Sequence, residues 1–125
     1  MKKKMKRTSL GKIDRMTGYE FENYLCQLFE AKDYKIRHIG QSGDFGGDLI
    51  IRKGNKNEII QAKRWNSKVG VKAVQEVFAA KKYYNVKTCA VMTNSYFTTQ
   101  AKTLAKSLDV RLIDRTELLK YIKSI

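Results

Sequence analysis

Asp48-Leu49-Ile50-Ile51-Arg52-Lys53-Gly54-Asn55-Lys56-Asn57-Glu58-Ile59-Ile60-Gln61-Ala62-Lys63 is the stretch from which both fold and chemistry are read. Its two β-branched runs, Asp48 to Arg52 and Glu58 to Ala62, flank Gly54-Asn55, a pair suited to a tight two-residue hairpin turn. With those two residues as the loop, Lys53 pairs with Lys56, Ile50 with Ile59, and Asp48 falls opposite Gln61, roughly 5 Å away between Cβ atoms. Side chains alternate along a strand, so Lys63 shares the face of Gln61 and Ala62 points away. A loop one residue longer would send Asp48 and Gln61 to opposite faces, so the chemistry depends on this register.

A carboxylate is a hard oxygen ligand suited to Mg²⁺, which favours one or two carboxylates together with waters and substrate phosphate oxygens. A lysine beside it can stabilise charge developing on phosphorus or assist formation of hydroxide. The trio therefore suggests phosphodiester hydrolysis. Taken singly, each residue has a plainer use: Asp48 closing a loop, Gln61 bonding within a sheet, Lys63 as a charge at a strand end.

Further blocks surround the trio: Gly18-Tyr19-Glu20-Phe21-Glu22, Ser42-Gly43-Asp44-Phe45-Gly46-Gly47-Asp48, Ile60-Gln61-Ala62-Lys63-Arg64-Trp65, Val74-Gln75-Glu76-Val77 and Thr93-Asn94-Ser95-Tyr96-Phe97. In this order they resemble the PD-(D/E)xK nuclease superfamily, and within it the Mrr-type restriction endonucleases, where glutamine commonly replaces the second acid. The resemblance spans Thr17 to Ile113. It implies an α/β, restriction-endonuclease-like fold, a mixed central sheet of about five strands flanked by helices on both faces. It implies divalent-metal-dependent cleavage of DNA, with Mg²⁺ as cofactor and Mn²⁺ able to substitute. Asp48 would be the main ligand, Gln61 would offer an amide oxygen, and the Ala62 backbone carbonyl would complete the set. Lys63 would stabilise the attacking water or the transition-state charge. Glu22, from the Phe-Glu pair of the first helix, would face the metal, Gln75 would approach the site, and the turn containing Asn94 would bind backbone phosphate.

Composition agrees with such a partner. The 125 residues carry 26 Lys and Arg against 12 Asp and Glu, a formal charge of +14, which favours a polyanion through counterion release from phosphates. With 42% hydrophobic residues, the chain is expected to form one domain, 16–125, preceded by a basic, solvated N-terminal arm, 1–15. Cys26 and Cys89 sit in apolar patterns, and His38 is the sole histidine, so a Cys/His zinc site and triad catalysis are disfavoured. No run is long and apolar enough to span a membrane, and the expected compartment is the cytoplasm.

Along the chain, Thr17-Gly18-Tyr19-Glu20 is a capping box that opens a helix to about Lys32, with Phe21, Leu25, Leu28 and Phe29 as its apolar stripe. Glu22 borders that buried arc, so it either reaches solvent or meets a cation. Tyr34 to Ile39 reads as a strand in which His38 is a strand residue rather than a base. The glycines of 40–47 suit a loop that lets backbone approach phosphate, with Ser42 a contact and Asp44 a weaker ligand candidate than Asp48. Strands 48–52 and 58–62 are apolar on both faces, as in a sheet covered on both sides. Arg64 and Trp65 form a basic and stacking pair suited to nucleic acid, although Trp65 could equally cap the core. Val71 to Tyr84 reads as a helix, with Lys72 a phosphate contact near its start and Gln75 and Glu76 polar surface positions. A strand over Val86 to Met92, a helix over Thr98 to Leu108, a strand over Val110 to Ile113 and a closing helix after Asp114 complete the order.

The leading expectation is a metal-dependent DNA endonuclease acting as a homodimer on the two strands. Specificity would come from a separate partner, from DNA structure, or from little preference at all. A Holliday-junction or other structure-selective nuclease would use the same residues, and a non-catalytic basic DNA-binding module is the alternative of a different class.

Overall fold

The computed structural model describes residues 8–39 and 48–125. Ser42 and Asp44, and residues 1–7 of the expected basic arm, lie outside the described residues. The elements are α1 (Leu10–Asp14), α2 (Gly18–Ala31), β1 (Lys35–Ile39), β2 (Asp48–Lys53), β3 (Lys56–Lys63), α3 (Val71–Tyr84), β4 (Thr88–Thr93), α4 (Thr99–Leu108), β5 (Val110–Ile113) and α5 (Arg115–Lys123).

The five strands lie in the order β1-β2-β3-β4-β5. β1, β2 and β3 form an antiparallel meander, and β4 and β5 are added in parallel. The hairpin register is the expected one, with Asp48 opposite Gln61, Ile50 opposite Ile59 and Lys53 opposite Lys56. Gly54 takes φ 60°, the left-handed value that a type II′ turn requires of its first central residue and that a side chain would disfavour.

Alternation along the strands builds two cores. Leu49, Ile51, Ile60, Ala62, Ala90 and Met92 pack under α1, α2 and α5, against Ile13, Phe21, Leu25, Leu118 and Ile122. Ile50, Ile59, Cys89 and Val91 pack under α3 and α4, against Val74, Val77, Ala101 and Ala105. Leu25 and Val77 are both fully buried, and truncating such a side chain to alanine costs roughly 2–5 kcal/mol.

Helices α1, α2, α4 and α5 each start on a side-chain cap. The Thr17 hydroxyl accepts from the Glu20 amide while the Glu20 carboxylate accepts from the Thr17 amide, the reciprocal box expected from sequence. Thr98 caps α4 and Asp114 caps α5 in the same donor-satisfying way. The solvated arm is a helix in its last part. Ser9 caps α1 by accepting from the Lys12 amide, and Ile13 is fully buried. Leu10 and Ile13, three apart on one helical face, drive this docking despite the surrounding lysines.

Candidate active site

Asp48 opens β2 and Gln61 lies across from it near the end of β3, both on the face covered by α3. Lys63 follows on that face, with only 17% of its side chain exposed. The site therefore forms at one end of the hairpin, where β3 leaves the sheet.

Two acceptors at this end are buried without a hydrogen-bond partner among the described residues: Asp48 Oδ1 and Gln61 Oε1. An unmade bond at a buried polar atom costs about 1–3 kcal/mol, so two such oxygens on residues paired across the strands need a reason. Hard oxygen donors of this kind suit a divalent cation of the Mg²⁺ type. The donor set fits the ion, with Asp48, Gln61 and the neighbouring Ala62 carbonyl as the residues that would hold it. Among the described residues there is no cluster of three His, Cys, Asp or Glu able to hold a metal.

Burial pushes the Asp48 pKa up to about 6 from 3.8; Lys63 opposes this, while the charges of Glu22 and Glu76 add to it. Glu76 is the residue that the sequence reading passed over. Its Oε1 accepts from Gln61 Nε2 at 3.3 Å and lies 3.7 Å from Lys63 Nζ. By holding the amide nitrogen it leaves the Gln61 oxygen turned elsewhere. Gln75 and Glu76 are both exposed, and it is Glu76 that makes the contacts with Gln61 and Lys63. One residue along a helix is a 100° turn, and the docking of α3 points Glu76 rather than Gln75 at β3.

Glu22 is buried, 7% exposed, and its Oε2 lies 2.9 Å from His38 Nδ1. Of the two outcomes left open for Glu22, a partner rather than solvent is the one realised. His38 pairs with Leu49 in the β1–β2 register, which puts it on the α2 face, so Glu22 acts on Asp48 from the other side of the sheet. The far ring nitrogen of His38 lies 3.3 Å from Cys26 Sγ, and burial pushes that thiol up to about 12, which disfavours the thiolate.

The expected DNA contacts divide. Asn94 is buried, 3% exposed; its Oδ1 accepts from the Trp65 amide at 2.8 Å and its Nδ2 donates to Asp14 Oδ1 at 2.9 Å. Arg64 donates to the Asp14 carbonyl at 3.2 Å and to Asn66 Oδ1 at 2.7 Å. Arg115 donates two hydrogen bonds to the Asp14 carboxylate, at 2.7 and 3.1 Å, and holds its carboxyl below the usual range. Asn94 and Arg64 thus belong to a knot joining α1, α5 and the ends of β3 and β4. Lys72 and Trp65, in contrast, line a cavity of about 370 Å³ that also touches Lys63, Gly70 and Glu76. A larger cleft of about 560 Å³ lies at the other end of β3, against Glu58 and Arg111, away from the trio.

A family model described as restriction endonuclease, the Mrr catalytic domain, matches residues 13–122. The chain belongs to this family. It is 32% identical over 90 residues to the type IV methyl-directed restriction enzyme EcoKMrr of Escherichia coli strain K12, a match covering 70% of this chain and 30% of that protein. The DNA modification-dependent restriction endonuclease AspBHI shares the fold, with a TM-score of 0.66 at 18% identity over 92% of this chain and 34% of that one. A protein of unknown function, AF1548, superposes with a TM-score of 0.63 at 16% identity, over 77% of this chain and 57% of that one. The chain thus spans under a third of its curated relative and about a third of AspBHI. Among the described residues, no helix is long and apolar enough to cross a membrane.

Proposed function

We propose that the chain is a divalent-metal-dependent endonuclease that hydrolyses DNA phosphodiester bonds. The observation that carries this reading is the pair of buried, unpartnered oxygens, Asp48 Oδ1 and Gln61 Oε1, set in register beside Lys63. Membership in the restriction endonuclease family supports it, as does the charge of +14.

In this reading Asp48, Gln61 and the Ala62 carbonyl hold Mg²⁺ or Mn²⁺, which when bound supplies Lewis-acid charge at the scissile phosphate. Lys63 places a cation beside that phosphate and stabilises the charge that grows as water attacks. Glu76 keeps the Gln61 amide turned correctly and shares Lys63 when no substrate is present. Glu22, held by His38, adds negative charge that strengthens the site for a cation. Hydrolysis of both strands of a duplex needs two such sites, and a homodimer on DNA supplies them.

Plasmid nicking with Mg²⁺ or Mn²⁺ tests this directly. The parent chain is expected to nick, while Asp48→Ala and Lys63→Ala lose at least about a hundredfold in rate yet still bind DNA. A parent chain inert with every divalent metal, but still binding DNA, would mark it as a basic binding module instead.

A further inference from the structure

We propose that the cavity beside Lys63 receives one unpaired nucleobase, stacked on Trp65, so that DNA with an unpaired nucleotide next to the scissile phosphate is bound in preference to continuous duplex. The placement of the phosphate rests on the nuclease reading above; the cavity and its walls do not.

The volume of about 370 Å³ falls within the roughly 300–1,000 Å³ typical of small-ligand pockets. Its walls combine an indole with Lys63, Lys72 and Glu76 over an apolar floor of Val69 and Ala73. An aromatic face flanked by cations is the composition that binds single-stranded nucleic acid, because every base presents a π-face and every nucleotide a phosphate. In a continuous duplex those faces are covered by neighbouring pairs and only base edges reach a groove, so a recessed indole can be stacked only by a base that has left the helix.

Distance links the cavity to the chemistry. Lys63 Nζ lies over the Trp65 ring, 5.5 Å from its centroid, so the lysine that would meet the scissile phosphate leaves the ring face as the base takes it. A phosphate held there brings the base of the same or the adjoining nucleotide to the indole. Lys72, exposed at the rim, is placed for the next phosphate.

The wall is also fixed in advance. Val69 bridges to Phe97 in parallel, its amide donating to the Tyr96 carbonyl at 2.8 Å and its carbonyl accepting from the Thr98 amide at 3.0 Å. The Trp65 amide is pinned by Asn94. Little ordering is left for a ligand to impose, which favours binding.

Gly70 offers a way to close the cavity. A Cβ built there meets nothing within 4 Å, and its φ of −97° is open to any residue. Trp65 is the chain's single tryptophan, so emission reports this wall alone. The experiment titrates the full chain in EDTA with two DNAs of one sequence, a continuous duplex and the same duplex carrying a one-nucleotide flap, read by tryptophan emission and by anisotropy of labelled DNA. The expected result is quenching by the flap DNA and not by duplex, with about tenfold tighter binding of the flap DNA. Gly70→Leu should bring that affinity ratio to one, and Gly70→Ala should leave it unchanged. Should Gly70→Leu fail to fold, Trp65→Phe is expected to keep part of the ratio and Trp65→Ala none, by anisotropy.

Equal affinity and equal quenching for the two DNAs, or a ratio that survives filling of the cavity, would overturn the proposal. Because no metal is present, the two readings fail separately. A chain that prefers flap DNA but never cuts loses the nuclease reading alone, and one that cuts without any such preference loses only this inference.

Discussion

At the amino-terminal end of β3, Glu58 is buried and gripped by Arg111, whose Nη2 and Nε donate to its two oxygens at 2.6 and 3.0 Å, whereas near the carboxyl-terminal end Asp48 has an oxygen with no partner among the described residues. Both acids lie in the hairpin, only a few residues apart along the pairing. The first is compensated within the fold: Arg111 reaches from β5 past Ala90 of β4, small enough to let it through. The second has only the nearby charge of Lys63 set against it among the described residues, and burial lifts its pKa. A satisfied buried acid marks architecture; an unsatisfied one in register with an unsatisfied amide marks a place where something else is meant to bind.

Exchanging the two roles by mutation should break this contrast. Asp48→Asn is expected to abolish nicking, by at least about a hundredfold, while leaving the melting temperature equal or higher because a buried charge is removed. Arg111→Met should do the reverse. It leaves Glu58 buried and alone, costing about 2 kcal/mol, less than the roughly 3–5 kcal/mol of a fully buried pair because 52% of the Arg111 side chain is exposed. Thermal unfolding of both variants beside plasmid nicking checks the pair of outcomes.

A smaller effect is expected from Gln61→Glu, which supplies a second carboxylate but loses the donor to Glu76 and sets two acids together. Without metal its melting temperature should fall, and calorimetric titration should show Mg²⁺ bound about tenfold more tightly than by the parent. Unchanged Mg²⁺ affinity would mean that position 61 is not a ligand.

The smallest effect is the pH dependence. The folded-state pKa of Asp48, about 6, lies above its unfolded value of 3.8, so its protonated form contributes stability that is complete below about pH 4 and lost as pH rises through about 6. Mg²⁺-supported nicking should grow over the same interval, since the ligand must be ionised. Asp48→Asn should flatten that part of the stability profile, measured by denaturant unfolding from pH 4 to 7.

What could be read from sequence was whatever a local rule decides. Gly54-Asn55 permits one tight turn, that turn fixes the register, and the register alone brings Asp48 to Gln61. The Thr17 box and the Asp114 cap likewise announce their helices. What escaped was long-range or rotational. The meeting of Glu22 with His38 joins α2 to β1, and no periodicity announces it; the pattern showed only that Glu22 was expensive where it stood. Glu76 and Gln75 were indistinguishable until α3 was docked, since the buried stripe of Val74 and Val77 fixes its inner side but not which flank meets β3. Ser9 and the Leu10–Ile13 pair did signal α1, but the lysines around them outweighed two apolar residues. The polar groups of the turn containing Asn94, at a strand's carboxyl end, suggest a phosphate contact. Those groups are consumed in tying Trp65 and Asp14 down.

The knot at Asp14 bears on the order in which the molecule assembles. Its bonds to Arg115 join positions 101 residues apart, and such a closure becomes favourable only after β4 and α5 are already in place. A five-residue helix cannot persist alone in water, so α1 depends on this clasp and on its buried Ile13 to keep its place. Acid that protonates Asp14 would loosen this clasp while the hairpin beneath it remains paired.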